Sequence, residues 1–426
     1  MKIEVLHTHF LNSSGICTDT RKITPNCLFF ALKGDNFNGN EFAQEALDKG
    51  AYKVVIDEIA YHKNTGETIL HGNSLQLLQK LSNYHRNSLD IPLIALTGSN
   101  GKTTSKELIN AVLSQQFSTT ATTGNLNNHI GVPLTLLSIT NRTEIAIVEM
   151  GANHLGEIEQ LCEIAEPDYG YITNFGKAHL EGFGSMEGVI QGKSELYKHL
   201  KEKEGRVFVN GNDKKQLELT KSLDRFTFGP EGSDCEIRLL DASDTLTIGY
   251  KDISIQSNLI GLYNFHNIAA AIAIGEYFKV SIDKIKEGIE GYIPRNNRSQ
   301  LLEKAGHKII LDAYNANPTS MLAALENFQQ LEGKNKVMIL GDMFELGKEA
   351  AMEHQAIATY LQKNSFGSVY LVGSNFFNTE FTSDSMLKFK NFSDLESHLK
   401  QHPLPPSIIL IKGSRGMALE RILEIL

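Results

Sequence analysis

The sequence predicts an α/β protein of three domains. They are a mixed α/β N-terminal domain, a central phosphate-loop domain with a mainly parallel sheet, and a Rossmann-like α/β C-terminal domain. Three observations carry this. The chain has 426 residues, and at about 150 residues per domain that makes about three. Short apolar runs alternate with segments of helical spacing, which implies right-handed crossovers and parallel strands. The texture changes near residues 87 and 297, so the expected domains are 1–87, 88–297 and 298–426.

The elements follow in chain order. LFFALKG (28–34) reads as a buried strand, EFAQEALDKGA (41–51) as a helix stopped by Gly50, and YKVVID (52–57) as the next strand. IPLIALT (91–97) opens the second region, with Pro92 at a strand start where a missing N–H is tolerated. KTTSKELINAVL (102–113) has helical spacing, and EIAIVEM (144–150) and YGYITNF (169–175) are buried-strand candidates. Between them Leu155, Ile158, Leu161 and Ile164 fall three apart, as one helix face. RFTFG, CEIRLL, TLTIGY and ISIQSNLIG within 225–260 suggest a small antiparallel patch. In the third region HKIILDAYN (307–315), KVMILGDM (336–343), SVYLVGS (368–374) and SIILIKGS (407–414) read as strands. SMLAALENFQQL, AAMEHQAIATYLQ, DLESHLKQ and ALERILEIL read as helices.

Composition narrows the function. Lys and Arg number 41 against 50 Asp and Glu, a net charge of −9. An acidic chain without a basic run argues against sequence-independent nucleic-acid binding. No stretch approaches about 18 consecutive apolar residues, and MKIEVLHTHF is not a secretory leader. The expectation is a cytoplasmic protein without membrane insertion. Cys17, Cys27, Cys162 and Cys235 are scattered, with no C-x-x-C pair. That argues against a disulfide scaffold and a zinc ribbon.

Thr97-Gly98-Ser99-Asn100-Gly101-Lys102-Thr103-Thr104 lies between a predicted strand and a predicted helix. That is the context a phosphate loop requires. Glycines let the backbone wrap an anion, and the helix start offers N–H groups and a favourable dipole. Lys102 can reach outer phosphates and the Thr103 hydroxyl can ligate Mg²⁺. The spacing departs from the general pattern, with Leu96 where a first glycine is usual. Phosphoryl transfer needs carboxylates nearby to hold metal. Glu149 ends one strand, and Asn174 and His179 follow another. Ligands gather at such strand ends in an open α/β sheet. Asn125, Asn127 and Asn128 offer neutral donors and acceptors for a multiply oxygenated substrate. The bland alternatives are a solvated strand-end Glu, a structural His and an Asn-rich turn.

These motifs resemble the ATP-dependent Mur ligases of peptidoglycan synthesis over nearly the whole chain. TGSNGKTT, NLNNHIGVP, EMGANHLGEI, TNFGKAHLEGFGS and GLYNFHNIAAAIA (261–273) resemble the family's central domain. DAYNANPTSM (312–321), GDMFELG (341–347) and KGSRGMALE (412–420) resemble its C-terminal domain, and DTRKITPNCLFFALKGDNFNGNEF (19–42) its uridine-nucleotide domain. TGSNGKTT is shared with folylpolyglutamate synthases. DAYNANPTSM with GDMFELG is narrower, and resembles the branch that adds D-alanyl-D-alanine to UDP-N-acetylmuramoyl-tripeptide.

The resemblance implies roles. Gly98, Ser99, Asn100, Gly101, Lys102, Thr103 and Thr104 would hold ATP phosphates. Thr103 and Glu149 would hold one Mg²⁺, and His179 would help hold a second. Lys193 in QGKSELY aligns with a lysine that the family carries as a carbamate. Two unit charges 4 Å apart interact by about 4 kcal/mol at an effective dielectric of about 20, so an ammonium beside a divalent ion faces roughly 8. Carbamylation reverses that sign. Without the resemblance, Lys193 reads as a surface lysine on a helix. Asp312, Asn315 and Asn317 would meet the ATP base and ribose, though they also suit a helix start. Lys412 and Arg415 would lie near the reaction centre, and Arg298 at a phosphate or hinge. Thr20, Arg21, Asn36 and Gly39 would contact uridine and diphosphate, with Asp19 bracing their loop; Cys17 and Cys27 have no implied role. Closure of three domains implies hinges near the two boundaries and an open arrangement before substrates bind. The chain would act as a monomer. The competing readings are a folylpolyglutamate synthase, a P-loop regulatory NTPase and a non-catalytic sugar-nucleotide binder.

Overall fold

The computed structural model describes residues 1–364 and 366–426. Their strands form three main sheets, one in each third of the chain, and a small hairpin. The first sheet is four-stranded and parallel, ordered Ile16–Cys17, Leu28–Phe30, Lys53–Ile56, Thr68–Leu70. LFFALKG ends as a strand at Phe30, and Lys33–Gly34 instead pairs with Phe37–Asn38 as a hairpin. The helix expected over 41–51 is Ala43–Asp48, preceded by a 3-10 turn where the Asn38 side chain accepts from Asn40 N. Helix Ser74–Asn87 then joins this unit to the next. Its buried Arg86 donates to Ala165 O and Asp168 Oδ2, and His85 lies 2.9 Å from Ile139 O.

The second sheet has nine strands and carries the site. Its centre places Leu93–Thr97 between Tyr169–Ile172 and Ile145–Glu149, all parallel. Leu96 is registered with Glu149, and Thr97 with Ile172. The ends that the phosphate loop needs therefore lie side by side. RFTFG is not antiparallel: Asp224–Gly229 runs parallel to Arg206–Asn210. Phe226 packs edge-on against Phe208, which draws the strand into the main sheet. The antiparallel part is limited to Cys235–Asp241, Thr247–Tyr250 and Ile253–Gln256. Leu155 is exposed ahead of helix Glu157–Ala165, whereas Ile158, Leu161 and Ile164 are buried as the spacing predicted.

The third sheet is ordered Gln300–Lys304, His307–Asp312, Ile408–Lys412, Lys336–Gly341, Ser368–Val372, Met386–Phe389, and only its first pair is antiparallel. ALERILEIL forms a 3-10 segment, Leu419–Glu424, not an α-helix. Residues three apart eclipse in that geometry, so Leu419 and Ile422 are buried together. Among the described residues no helix is long and apolar enough to cross a membrane. All four cysteines are free and buried.

The phosphate-loop helix, Lys102–Leu113, is clamped by helices Tyr263–Tyr277 and Ile282–Glu290. Close approach needs a glycine. A Cβ on Gly288 would lie 2.8 Å from Ala111 O and 2.8 Å from Val112 Cα, both backbone atoms. Overpacking of this kind costs about 1–3 kcal/mol. Gly288→Val should therefore lower the thermal unfolding midpoint and raise the ATP concentration needed for half-saturation. Calorimetry and a nucleotide titration check both effects.

Candidate active site

The phosphate loop is shaped by two glycines. Gly98 has φ +142°, and a Cβ there would fall 2.0 Å from Thr173 Oγ1. Gly101 has φ +81°, and its Cβ would fall 2.5 Å from Asn267 Oδ1. The neighbouring strand end ties the loop down. Asn100 N donates to Asn174 Oδ1, while Asn100 O accepts from Thr173 Oγ1 and Asn174 Nδ2. Ser99 Oγ donates to Gly176 O and accepts from Gly176 N. Asn174 thus braces the loop.

Lys102 Nζ curls back to Gly98 O at 2.6 Å. Burial lowers its pKa from the ordinary lysine value, Glu149 and Glu345 oppose that shift, and Arg298 adds to it. Thr103 Oγ1 donates to Glu149 Oε1 at 3.2 Å, and Asn127 Nδ2 donates to the same oxygen at 2.8 Å. Glu149 Oε2 is buried with no hydrogen-bond partner among the described residues. An unpartnered buried carboxylate oxygen beside a threonine hydroxyl fits a hard, oxygen-seeking cation such as Mg²⁺. Lys193, on helix Met186–Glu202, is wholly buried and donates to Ala152 O at 2.9 Å. Burial, reinforced by Lys102, takes its pKa well below the ordinary value.

A cavity of about 640 Å³ opens between the central strand ends and the C-terminal domain. Ser99, Asn100, Gly101, Lys102, Thr103, Thr104, Asn125, Asn127, Asn128, Glu149, His179, Arg298, Asp312, Asn315, Asn317 and Lys412 line it. Gly98 and Lys193 lie behind this lining. Several of these groups are already engaged. Asn128 Oδ1 accepts from Ile130 N and Gly131 N, as a turn residue does. Lys412 and Asp312 sit opposite each other on adjacent strands and pair at 2.6 Å. Asn317 caps helix Pro318–Gln330 in a capping box. Arg298 stacks 3.6 Å over the Tyr314 ring.

The four N-terminal candidates are not brought to this cavity, and Arg415 stands at its rim, 5.7 Å over the ring of the wall residue Tyr314. Arg415 is exposed and pairs with Glu420. The side chain of Arg21 is 86% exposed and pairs with Asp19, whose carboxyl the guanidinium holds down at about 2. Asn36 is in an exposed hairpin turn, and Gly39 is a tight turn against Leu32 O. Thr20 begins the 3-10 turn that Asp19 caps. Sequence reasoning missed Tyr314, Glu157, Thr319 and Glu345 on the wall. Tyr314 and Glu345 stood inside DAYNANP and GDMFELG, where an aromatic or an acid flanked by turn residues was a usable signal.

The C-terminal domain is docked on the central one, in place of the open arrangement expected. Asn317 Nδ2 donates to Asn100 Oδ1 at 2.7 Å, Lys177 N to Thr319 Oγ1, and Lys177 pairs with Glu353 at 2.6 Å. Asn317 Nδ2, Thr319 Oγ1 and the Lys177 ammonium all find partners across this seam, which favours contact.

Comparison with known proteins gives a consistent result. A Mur ligase middle-domain model matches residues 96–275, a Mur ligase glutamate ligase domain model 297–415, and a Mur ligase family catalytic domain model 12–83. The UDP-N-acetylmuramoyl-tripeptide–D-alanyl-D-alanine ligase of Bacillus subtilis is 36% identical, over 96% of this chain and 92% of its own. The ligase of the same name from Escherichia coli is 32% identical, over 96% and 93%. A crystal structure of MurF from Acinetobacter baumannii superposes with a TM-score of 0.85 at 30% identity, covering 99% and 98%. MurF from Thermotoga maritima in complex with ADP gives 0.83 at 27%, covering 98% and 97%. A Mycobacterium tuberculosis folylpolyglutamate synthase shares the fold, at 0.62 and 14% identity, over 82% and 94%.

The loop carrying Glu345 rests on a buried histidine. Met343 N donates to His354 Nε2 at 2.9 Å, and the ring's Nδ1 lies 2.6 Å from Ala350 O. The ring is therefore neutral with Nδ1 protonated, and burial lowers its pKa from the usual 6.5. Below pH 6.5 the unfolded chain binds the proton that the folded chain refuses, so stability rises with pH across that window. The urea midpoint should fall between pH 7.5 and 5.5, and fall less in His354→Gln, which cannot titrate.

Proposed function

The chain belongs to the Mur ligase family, and on that premise we propose that it joins D-alanyl-D-alanine to UDP-N-acetylmuramoyl-tripeptide, driven by ATP, in peptidoglycan precursor synthesis. The observation that carries this is the Lys102–Thr103–Glu149 constellation facing Asp312, Asn315 and Asn317 across one cavity. The γ-phosphoryl group passes to the tripeptide's terminal carboxylate. The dipeptide amine attacks the acyl phosphate, a tetrahedral intermediate forms, and phosphate leaves as the C–N bond is made.

The residues divide this work. The loop from Gly98 to Thr104 cradles the phosphates, and Lys102 swings from Gly98 O to their oxygens. Thr103, Glu149, His179 and Lys193, as its carbamate, would hold Mg²⁺, as two ions. Bound there, Mg²⁺ offsets the negative charge of the phosphates. The carbamate forms by attack of the neutral Lys193 Nζ on CO₂, making an N–C bond and releasing one proton. Asp312, Asn315 and Asn317 face the adenosine, and Asn125, Asn127 and Asn128 the sugar-peptide. Lys412 and Arg415 serve the incoming dipeptide or phosphate, and Arg298 the hinge. Thr20, Arg21, Asn36 and Gly39 hold uridine diphosphate at a distance from the chemistry. The divisions 1–87, 88–297 and 298–426 act as UDP-sugar, ATP and acceptor domains. Holding the reactants in register can supply about 7–11 kcal/mol, and closure keeps water from the acyl phosphate. The enzyme works as a monomer in the cytoplasm, without membrane insertion.

Phosphate release from ATP with UDP-N-acetylmuramoyl-tripeptide tests the reading. It should rise sharply on adding D-alanyl-D-alanine; release indifferent to the dipeptide would refute the assignment. Lys193→Ala should lower kcat by roughly 10²-fold. In the unsubstituted chain, ¹³CO₂ should give a carbamate carbon signal that this variant lacks.

A further inference from the structure

We propose that Glu345 is a positioning residue for His179, so that docking of the C-terminal domain completes the cation site of the central domain. The inference rests on the ligase reading above and goes beyond it, because Glu345 lies outside the central domain that supplies the metal-holding groups. Glu345 Oε2 lies 2.6 Å from His179 Nδ1, in direct contact but turned off the line of a hydrogen bond, so that the buried Nδ1 has no aligned partner among the described residues. The contact is built from both sides. Glu345 has φ +62°, a left-handed conformation that its side chain does not favour, facing His179 at φ +54°, which histidine tolerates better. Strain of this kind persists only where its surroundings enforce it.

The surroundings here are specific. Asp342, 1% exposed, accepts from Asn375 N and Phe376 N. Met343 N donates to His354, and Phe344 N to Ser414 Oγ. Three successive residues are thus pinned before the chain reaches Glu345. On the other side Glu181 N donates to Glu345 O, and Gly347 packs against Glu181. The carboxylate is aimed, although its side chain is 49% exposed.

The chemistry follows from histidine's two nitrogens. A carboxylate this close to Nδ1, once turned into line with its N–H, favours the Nδ1–H tautomer and leaves the Nε2 lone pair for the cavity. The Lys102 ammonium also reaches Glu345. Once phosphate engages Lys102, His179 remains as the partner. A solvated interdomain ion pair would need neither the strained backbone nor the buried Asp342.

The experiment uses the full chain and Mn²⁺ as probe, with a non-hydrolysable ATP analogue, following free Mn²⁺ by electron paramagnetic resonance. Glu345→Ala should weaken Mn²⁺ binding by roughly 10–100-fold. Glu345→Gln should restore most of it, because its amide oxygen still accepts from Nδ1–H. In a His179→Ala background, Glu345→Ala should add no further loss. Wild-type affinity in Glu345→Ala, or an equal loss in the His179→Ala background, would overturn the proposal. Dipeptide-dependent phosphate release by the unsubstituted chain is measured alongside. Its failure would remove the ligase reading, whereas the Mn²⁺ comparison judges Glu345 in either case.

Discussion

One half-buried amine, one wholly buried amine and one half-satisfied carboxylate gather beside the ends of adjacent parallel strands, and the rest of the molecule is arranged around that charge problem. Lys193 is wholly withdrawn from water and Lys102 partly so, and Lys102 makes the positive charge of Lys193 harder to hold. Glu149 answers with only one oxygen engaged. Buried groups left so are costly unless something else completes them. On the proposed function, a triphosphate beside Lys102, a divalent cation at Glu149 and a carbamate on Lys193 would together complete this set and energise a carboxylate for capture by an amine.

The segment from Thr173 to His179 connects this charge problem to the domain arrangement. Its first residues brace the phosphate loop through Asn100, and its last reach the C-terminal domain through Lys177 and His179. One short stretch therefore registers both the loop and the docking of the third domain. Asn100 is bonded on both sides of the seam, to Asn174 and to Asn317. Such shared partners make docking and loop geometry interdependent, which suits a reaction whose intermediate water would destroy.

Much of this was legible in the amino-acid sequence where one local rule decided the outcome. The helix at Lys102–Leu113 starts and ends where its spacing indicated, because a glycine turn precedes it and its apolar face is continuous. Strand order was not legible, since neighbours such as Leu93–Thr97 and Ile145–Glu149 are set by crossovers rather than by local pattern. RFTFG misled because its turn signals resemble a hairpin, while a crossover through helix Lys214–Leu219 returns the chain parallel to Arg206–Asn210. Leu155 misled because periodicity cannot say where a helix begins. In the site, Lys193 was indistinguishable by spacing from a surface lysine, and only the resemblance singled it out. Its depth is a tertiary fact. Glu345 stood inside a motif, but its role was not legible, since its partner His179 lies in another domain.

The most direct measurement of the central claim follows one oxygen atom. With the tripeptide's terminal carboxylate labelled with ¹⁸O, transfer through an acyl phosphate must leave one carboxylate oxygen on the released phosphate. The account predicts phosphate carrying one ¹⁸O for each peptide bond formed. Unlabelled phosphate accompanying peptide formation would contradict it.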